Sequence, residues 1–126
     1  MDKDILKYWL GFALVPQVGA GRGRKSLNFI NTFERAWSAS FSDFVQAGIE
    51  PTIAQEIVKK RSEIDLDKEM ANIEKAEIRI VTTEDEEYPE LLKEIYNPPF
   101  LLFVRGQINP ADKYAVAIVG ARRASE

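Results

Sequence analysis

Over residues 3 to 14, Ile5, Tyr8, Trp9, Phe12 and Ala13 recur at helical spacing, which predicts an amphipathic helix ending near Pro16. A tight turn follows, Val15-Pro16-Gln17-Val18-Gly19-Ala20-Gly21, and Leu27, Phe29, Ile30 and Phe33 suggest a second helix from about Arg22. Ser42 can cap a short helix that Gly48 ends. Pro51, at a first helical position, opens another through about Lys60 with Ile53, Ile57 and Val58 inward. Asp65 can cap one more, through about Lys75, with Leu66, Met70 and Ile73 inward. The first 75 residues therefore read as all-helical.

The period then changes. Ile78 to Thr82 alternates and is rich in β-formers, so it reads as a strand, followed by the acidic loop Glu84-Asp85-Glu86-Glu87. A short helix opens at Pro89, carries Leu91, Leu92 and Ile95, and is broken by Asn97-Pro98-Pro99. Phe100 to Val104 and Tyr114 to Val119 are near-continuous apolar runs bounded by Gly106 and Gly120, as strands buried on both faces of a parallel sheet would be. The expected architecture is α+β: a helical domain over residues 1–64, then residues 65–126 as the first strands of an α/β domain. No repeat or low-complexity segment interrupts it.

Composition narrows the chemistry. The chain has 126 residues, 45% of them hydrophobic and 29% charged, which marks a globular protein. No secretory leader is present and no apolar run could span a bilayer, so a soluble, cytoplasmic protein without membrane insertion is expected. The absence of Cys and His removes thiolate nucleophiles, histidine bases, disulfides and the usual zinc sites, leaving binding or carboxylate acid–base work. No cofactor is implied. Charge is unevenly spread: residues 1 to 62 carry 9 Lys and Arg against 6 Asp and Glu, residues 63 to 126 carry 8 against 14. A polyanion would prefer the first half.

Two stretches could bind phosphate. In the first, Gly19 and Gly21 lie in a turn between helices, with Arg22, Arg24 and Lys25 just beyond. Glycines there let the backbone approach a phosphate, and cations at a helix start oppose the helix dipole and so invite an anion. This resembles a helix-hairpin-helix element, also found in SAM-like helical modules. An ordinary helix–helix turn with exposed basic residues explains the same sequence. A dinucleotide fingerprint on Gly19, Gly21 and Gly23 fits poorly, because a helix precedes it. In the second, the run Ala115 to Val119 leads into Gly120-Ala121-Arg122-Arg123-Ala124-Ser125. A buried strand entering glycine, cations and a hydroxyl is how an open α/β sheet builds an anion site. Gly120 would allow close approach, Arg122 would neutralise charge and Ser125 would donate.

The stretches Tyr88-Pro89-Glu90-Leu91-Leu92-Lys93-Glu94-Ile95-Tyr96-Asn97-Pro98-Pro99, Leu102-Phe103-Val104-Arg105-Gly106 and Ala117-Ile118-Val119-Gly120-Ala121-Arg122-Arg123-Ala124-Ser125 resemble the DprA (Smf) family of DNA-processing proteins. That family shows Tyr-Pro-x-x-Leu-x-x-Ile, an Asp/Asn-Pro-Pro, a Leu-(Tyr/Phe)-x-(Arg/Lys)-Gly strand end and a Val-Gly-(Ser/Ala)-Arg-x-x-Ser loop normally followed by Tyr-Gly. The resemblance implies a bacterial protein of natural transformation that binds single-stranded DNA and helps load a RecA-type recombinase, without catalysis. It also implies an extended Rossmann core, a homodimer in the full-length protein, and a DNA pocket containing Gly120, Arg122 and Ser125. Ala121 stands where Ser is more usual, and the chain stops where Tyr-Gly would follow, so a fragment cut off early in the Rossmann-like domain is expected. Two other readings remain open: a nucleotide-processing α/β enzyme, and a helical protein-docking module.

Overall fold

The computed structural model describes residues 2–18 and 32–120. Among them are six helices and one two-stranded antiparallel sheet, an α+β arrangement. Helix α1 (Lys3–Ala13) begins where the Asp2 side chain accepts from the Asp4 amide, and it ends three residues before Pro16. It buries Trp9, Leu10, Gly11 and Phe12, while Ile5 is left largely exposed. Its buried face is wide because two helices pack on it. One is α2 (Phe33–Trp37); the other is α5 (Leu66–Lys75), capped by Asp65 as its sequence predicts. Between α1 and α5 a side chain at Gly11 would come within 2.7 Å of the Trp37 ring and 2.8 Å of Leu66, so glycine sets how closely the helices approach.

Helix α3 (Phe41–Gln46) is capped by Ser40, not by Ser42 as expected. The Ser40 hydroxyl accepts from the Asp43 amide and the Asp43 carboxylate accepts from the Ser40 amide, each at 3.1 Å. Two orphan donors are satisfied at once, which Ser42 inside the first turn could not do. The helix ends at Gly48, whose φ of +90° is open to glycine at little cost. Helix α4 (Pro51–Glu63) opens at Pro51 and buries Ala54 and Ile57, with Ile53 and Val58 partly buried beside them. From its last turns Arg61 reaches back, donating to the carbonyls of Trp37, at 2.9 Å, and Ala39. Burial lowers the pKa of this guanidinium, and the two carbonyls compensate it by hydrogen bonding.

Strand β1 (Arg79–Thr82) pairs with β2 (Leu101–Val104) in the register Arg79↔Val104 to Thr82↔Leu101. Between them run residues 83 to 100, which include the four-residue helix α6 (Glu90–Lys93). The expected parallel pairing is thus corrected. The chain returns directly opposite the end of β1, where the Thr83 amide donates to the Phe100 carbonyl at 3.2 Å, and this fixes the antiparallel sense. Val81 and Thr82 are buried at consecutive positions, so that end of β1 is covered on both faces, whereas Phe103 of β2 is half exposed.

The expected strand from Tyr114 to Val119 is absent. Residues Pro110–Tyr114 form a 3-10 turn, boxed by Asn109 and Asp112, and residues 115–120 form no ladder. Val116, Ile118 and Val119 are 85%, 95% and 91% exposed. A run of β-formers becomes a strand only beside a partner, and β1 and β2 pair with each other alone among the described residues.

One aromatic cluster joins the helices to the strand pair. Phe33 lies 4.3 Å from Trp9, 5.4 Å from Phe12 and 5.3 Å from Phe100, ring centroid to ring centroid. Phe12 also meets Trp37 and Phe44 edge-on. Phe100 and Leu101 therefore share a core with residues of the first half. Replacing Phe33 with Ala should cost about 3–5 kcal/mol in urea unfolding. The same change at the exposed Phe41 should cost well under half of that, and Gly11→Val should destabilise by about 1–3 kcal/mol through overpacking.

Candidate nucleic-acid interface

The three stretches that carry the family resemblance have different structural roles. Tyr88 is buried, and its hydroxyl donates to the Pro99 carbonyl at 2.5 Å, closing residues 88 to 99 into a loop with Pro98 buried. Asn97 turns that loop at φ +53°, a left-handed conformation that Asn adopts more readily than most residues. Burial raises the pKa of the Tyr88 phenol. The second stretch is β2 and the turn after it, where Gly106 takes φ +92°. The Gly106 carbonyl accepts from Arg79 Nε at 3.1 Å and from Nη2 at 2.9 Å, while Nη1 of the same arginine bonds Glu87 at 2.7 Å. Arg79 thereby ties the start of β1 to the end of β2 and to the acidic loop. These two stretches build the strand pair; of their cations, Lys93 sits 5.7 Å from the Tyr88 ring centroid and Arg105 donates to the Ala76 carbonyl at 3.2 Å.

The third stretch is exposed where it is described. Gly120 stands at the end of the unpaired run, and nothing lies within 4 Å of the place where its side chain would be. Of the residues proposed from the sequence to bind phosphate, Gly120 alone is described. Gly19, Gly21, Arg22, Arg24, Lys25, Arg122 and Ser125 lie outside the described residues.

The described cations of the first half are mostly engaged. Lys3 pairs with Glu74 and Lys7 with Asp67 across α1 and α5, and each lysine's pKa is raised by its hydrogen bond to that carboxylate. Lys60 pairs with Glu63, and Arg61 is bound to carbonyls. Arg35 and Lys59 are exposed and make no ion pair among the described residues, so both can meet an anion. Sequence reasoning passed over them because a single exposed cation carries no spacing signal. The acidic loop presents the opposite field: a cleft of about 830 Å³ beside it is lined by Glu86, Glu87, Glu90 and Asp112. A polyanion is repelled there. Among the described residues no helix is long and apolar enough to cross a membrane.

The described residues thus define an α+β protein whose buried motifs position an exposed, glycine-ended segment. Residues 79–126 match the model of the family described as DNA recombination-mediator protein A. The match opens on the first residue of β1 and takes in all three stretches. No curated protein and no solved structure matches the chain.

Tyr88→Phe should lower stability by about 0.5–1.5 kcal/mol, since the hydroxyl bond to the Pro99 carbonyl is lost. The sign of the pH effect follows from the raised phenol pKa: the folded state holds the proton more tightly than the unfolded chain. Stability from this group is complete below about pH 10 and falls as pH rises through the folded-state pKa. Urea unfolding between pH 8 and 11 should show a shallower alkaline decline in Tyr88→Phe than in the parent.

Proposed function

We propose that this protein binds single-stranded DNA and presents it to a RecA-type recombinase, acting by binding alone. The observation that carries the reading is the family match over residues 79–126, which includes the whole Val119-Gly120-Ala121-Arg122 loop. In this reading residues 65–126 open an extended Rossmann-like domain, and residues 1–64 are a helix-hairpin-helix module. Gly120 offers backbone amides to a phosphate, Arg122 meets it with two parallel hydrogen bonds, and Ser125 donates another. Gly19 and Gly21 allow a second phosphate approach, neutralised by Arg22, Arg24 and Lys25. The excess of cations in the first half supports that placement. The protein acts in natural transformation, in the cytoplasm, as a homodimer at full length.

In the full-length protein Arg122→Ala should weaken single-stranded DNA binding roughly tenfold, and Lys at that position should restore it only in part. Fluorescence anisotropy against a labelled oligonucleotide measures both. Intact DNA affinity together with lost turnover of a free nucleotide would replace this reading with the nucleotide-processing enzyme.

Replacing Arg22, Arg24 and Lys25 with Gln should weaken binding to all sequences alike. It should also flatten the salt dependence by about 2 in logarithmic slope, the change expected for three phosphate contacts on a single strand. An unchanged slope would make the helical half a protein-docking module.

A further inference from the structure

We propose that the cleft beside the acidic loop is a docking groove for the basic segment, residues 22–30, of a second copy of this chain. One wall is apolar, formed by Tyr88, Pro89, Leu91, Ile108 and Pro110. The rim carries Glu86, Glu87, Glu90 and Asp112 against one ammonium, Lys113. Two of these carboxylates are engaged, Glu87 by Arg79 and Asp112 by the Asn109 amide at 2.7 Å. Glu86 and Glu90 are exposed and have no partner among the described residues. Leu91 is 58% exposed.

An occupant of such a groove needs cations and large apolar side chains within a few residues. Nucleic acid lacks the first. The segment Arg22-Gly23-Arg24-Lys25-Ser26-Leu27-Asn28-Phe29-Ile30 has both: three cations to meet the rim, then Leu27, Phe29 and Ile30 for the wall. Resting on the DNA reading above, a further consequence is competition. DNA phosphates and the neighbouring cleft would draw on the same Arg22, Arg24 and Lys25, so single-stranded DNA would release the contact.

The test uses the full-length protein and a fluorescein-labelled peptide of residues 20–31. The peptide should bind, and binding should weaken about fivefold in the double variant Glu86→Gln/Glu90→Gln, the effect of losing two exposed charge pairs. Sedimentation velocity should show concentration-dependent self-association that the same variant reduces. Equal binding to the parent and the variant, preference for a peptide of residues 115–126, or sedimentation independent of both concentration and the variant would each overturn the proposal. Affinity of the variant for single-stranded DNA is measured alongside. Loss of DNA binding by the parent protein, with peptide binding intact, would overturn the DNA reading and the competition while leaving the docking groove standing.

Discussion

The contact among Phe33, Trp9, Phe12 and Phe100 is the constraint on which the rest of the structure depends. These rings come from α1, α2 and the residue before β2, so one cluster fixes the helices to one another and the strand pair to the helices. Aromatic side chains bury large areas and prefer tilted or offset geometries, which specify orientation as well as proximity. The antiparallel pair would be marginal on its own, because two strands cannot cover their own faces. Docking Phe100 and Leu101 against the helical side supplies that cover.

A second constraint acts within the strand pair. Tyr88 and Arg79 each join parts of the chain that are distant in sequence, the tyrosine by its bond to Pro99 and the arginine by its fork onto Gly106 and Glu87. Together they close the connection between β1 and β2 at both ends. Of the three stretches that carry the family resemblance, the first two therefore build the scaffold. The segment leading to Gly120 is left exposed.

Much of this was legible because it is local. Helices α1, α4 and α5 follow from the period of Trp9 and Phe12, from Pro51 at a helix start and from the Asp65 cap, all of which act within a few residues. The strands β1 and β2 were readable from their runs of β-formers. Pairing sense and the fate of Tyr114 to Val119 were not, because both depend on which segment lies alongside, a non-local fact that propensity does not encode. Ser40 was missed in favour of Ser42 because two serines flank Phe41, and only the reciprocal bond with Asp43 separates them. Of the proposed phosphate ligands, Gly120 is the one whose surroundings are described, and its openness is a property of packing that no residue pattern states.

The placement of charge decides where a polyanion could lie. Lys3 and Lys7 carry part of the first half's positive charge, yet both are paired with carboxylates of α5, and Arg61 is turned inward onto two carbonyls. Exposed ion pairs contribute little to stability, but they cancel the local field that would attract phosphate. Arg35 and Lys59 alone among the described first-half cations keep an unpaired charge at the surface. Two separate cations make a weak electrostatic footprint for a polyanion. The acidic loop sharpens that contrast, since Glu86 and Glu90 repel nucleic acid from the cleft next to them.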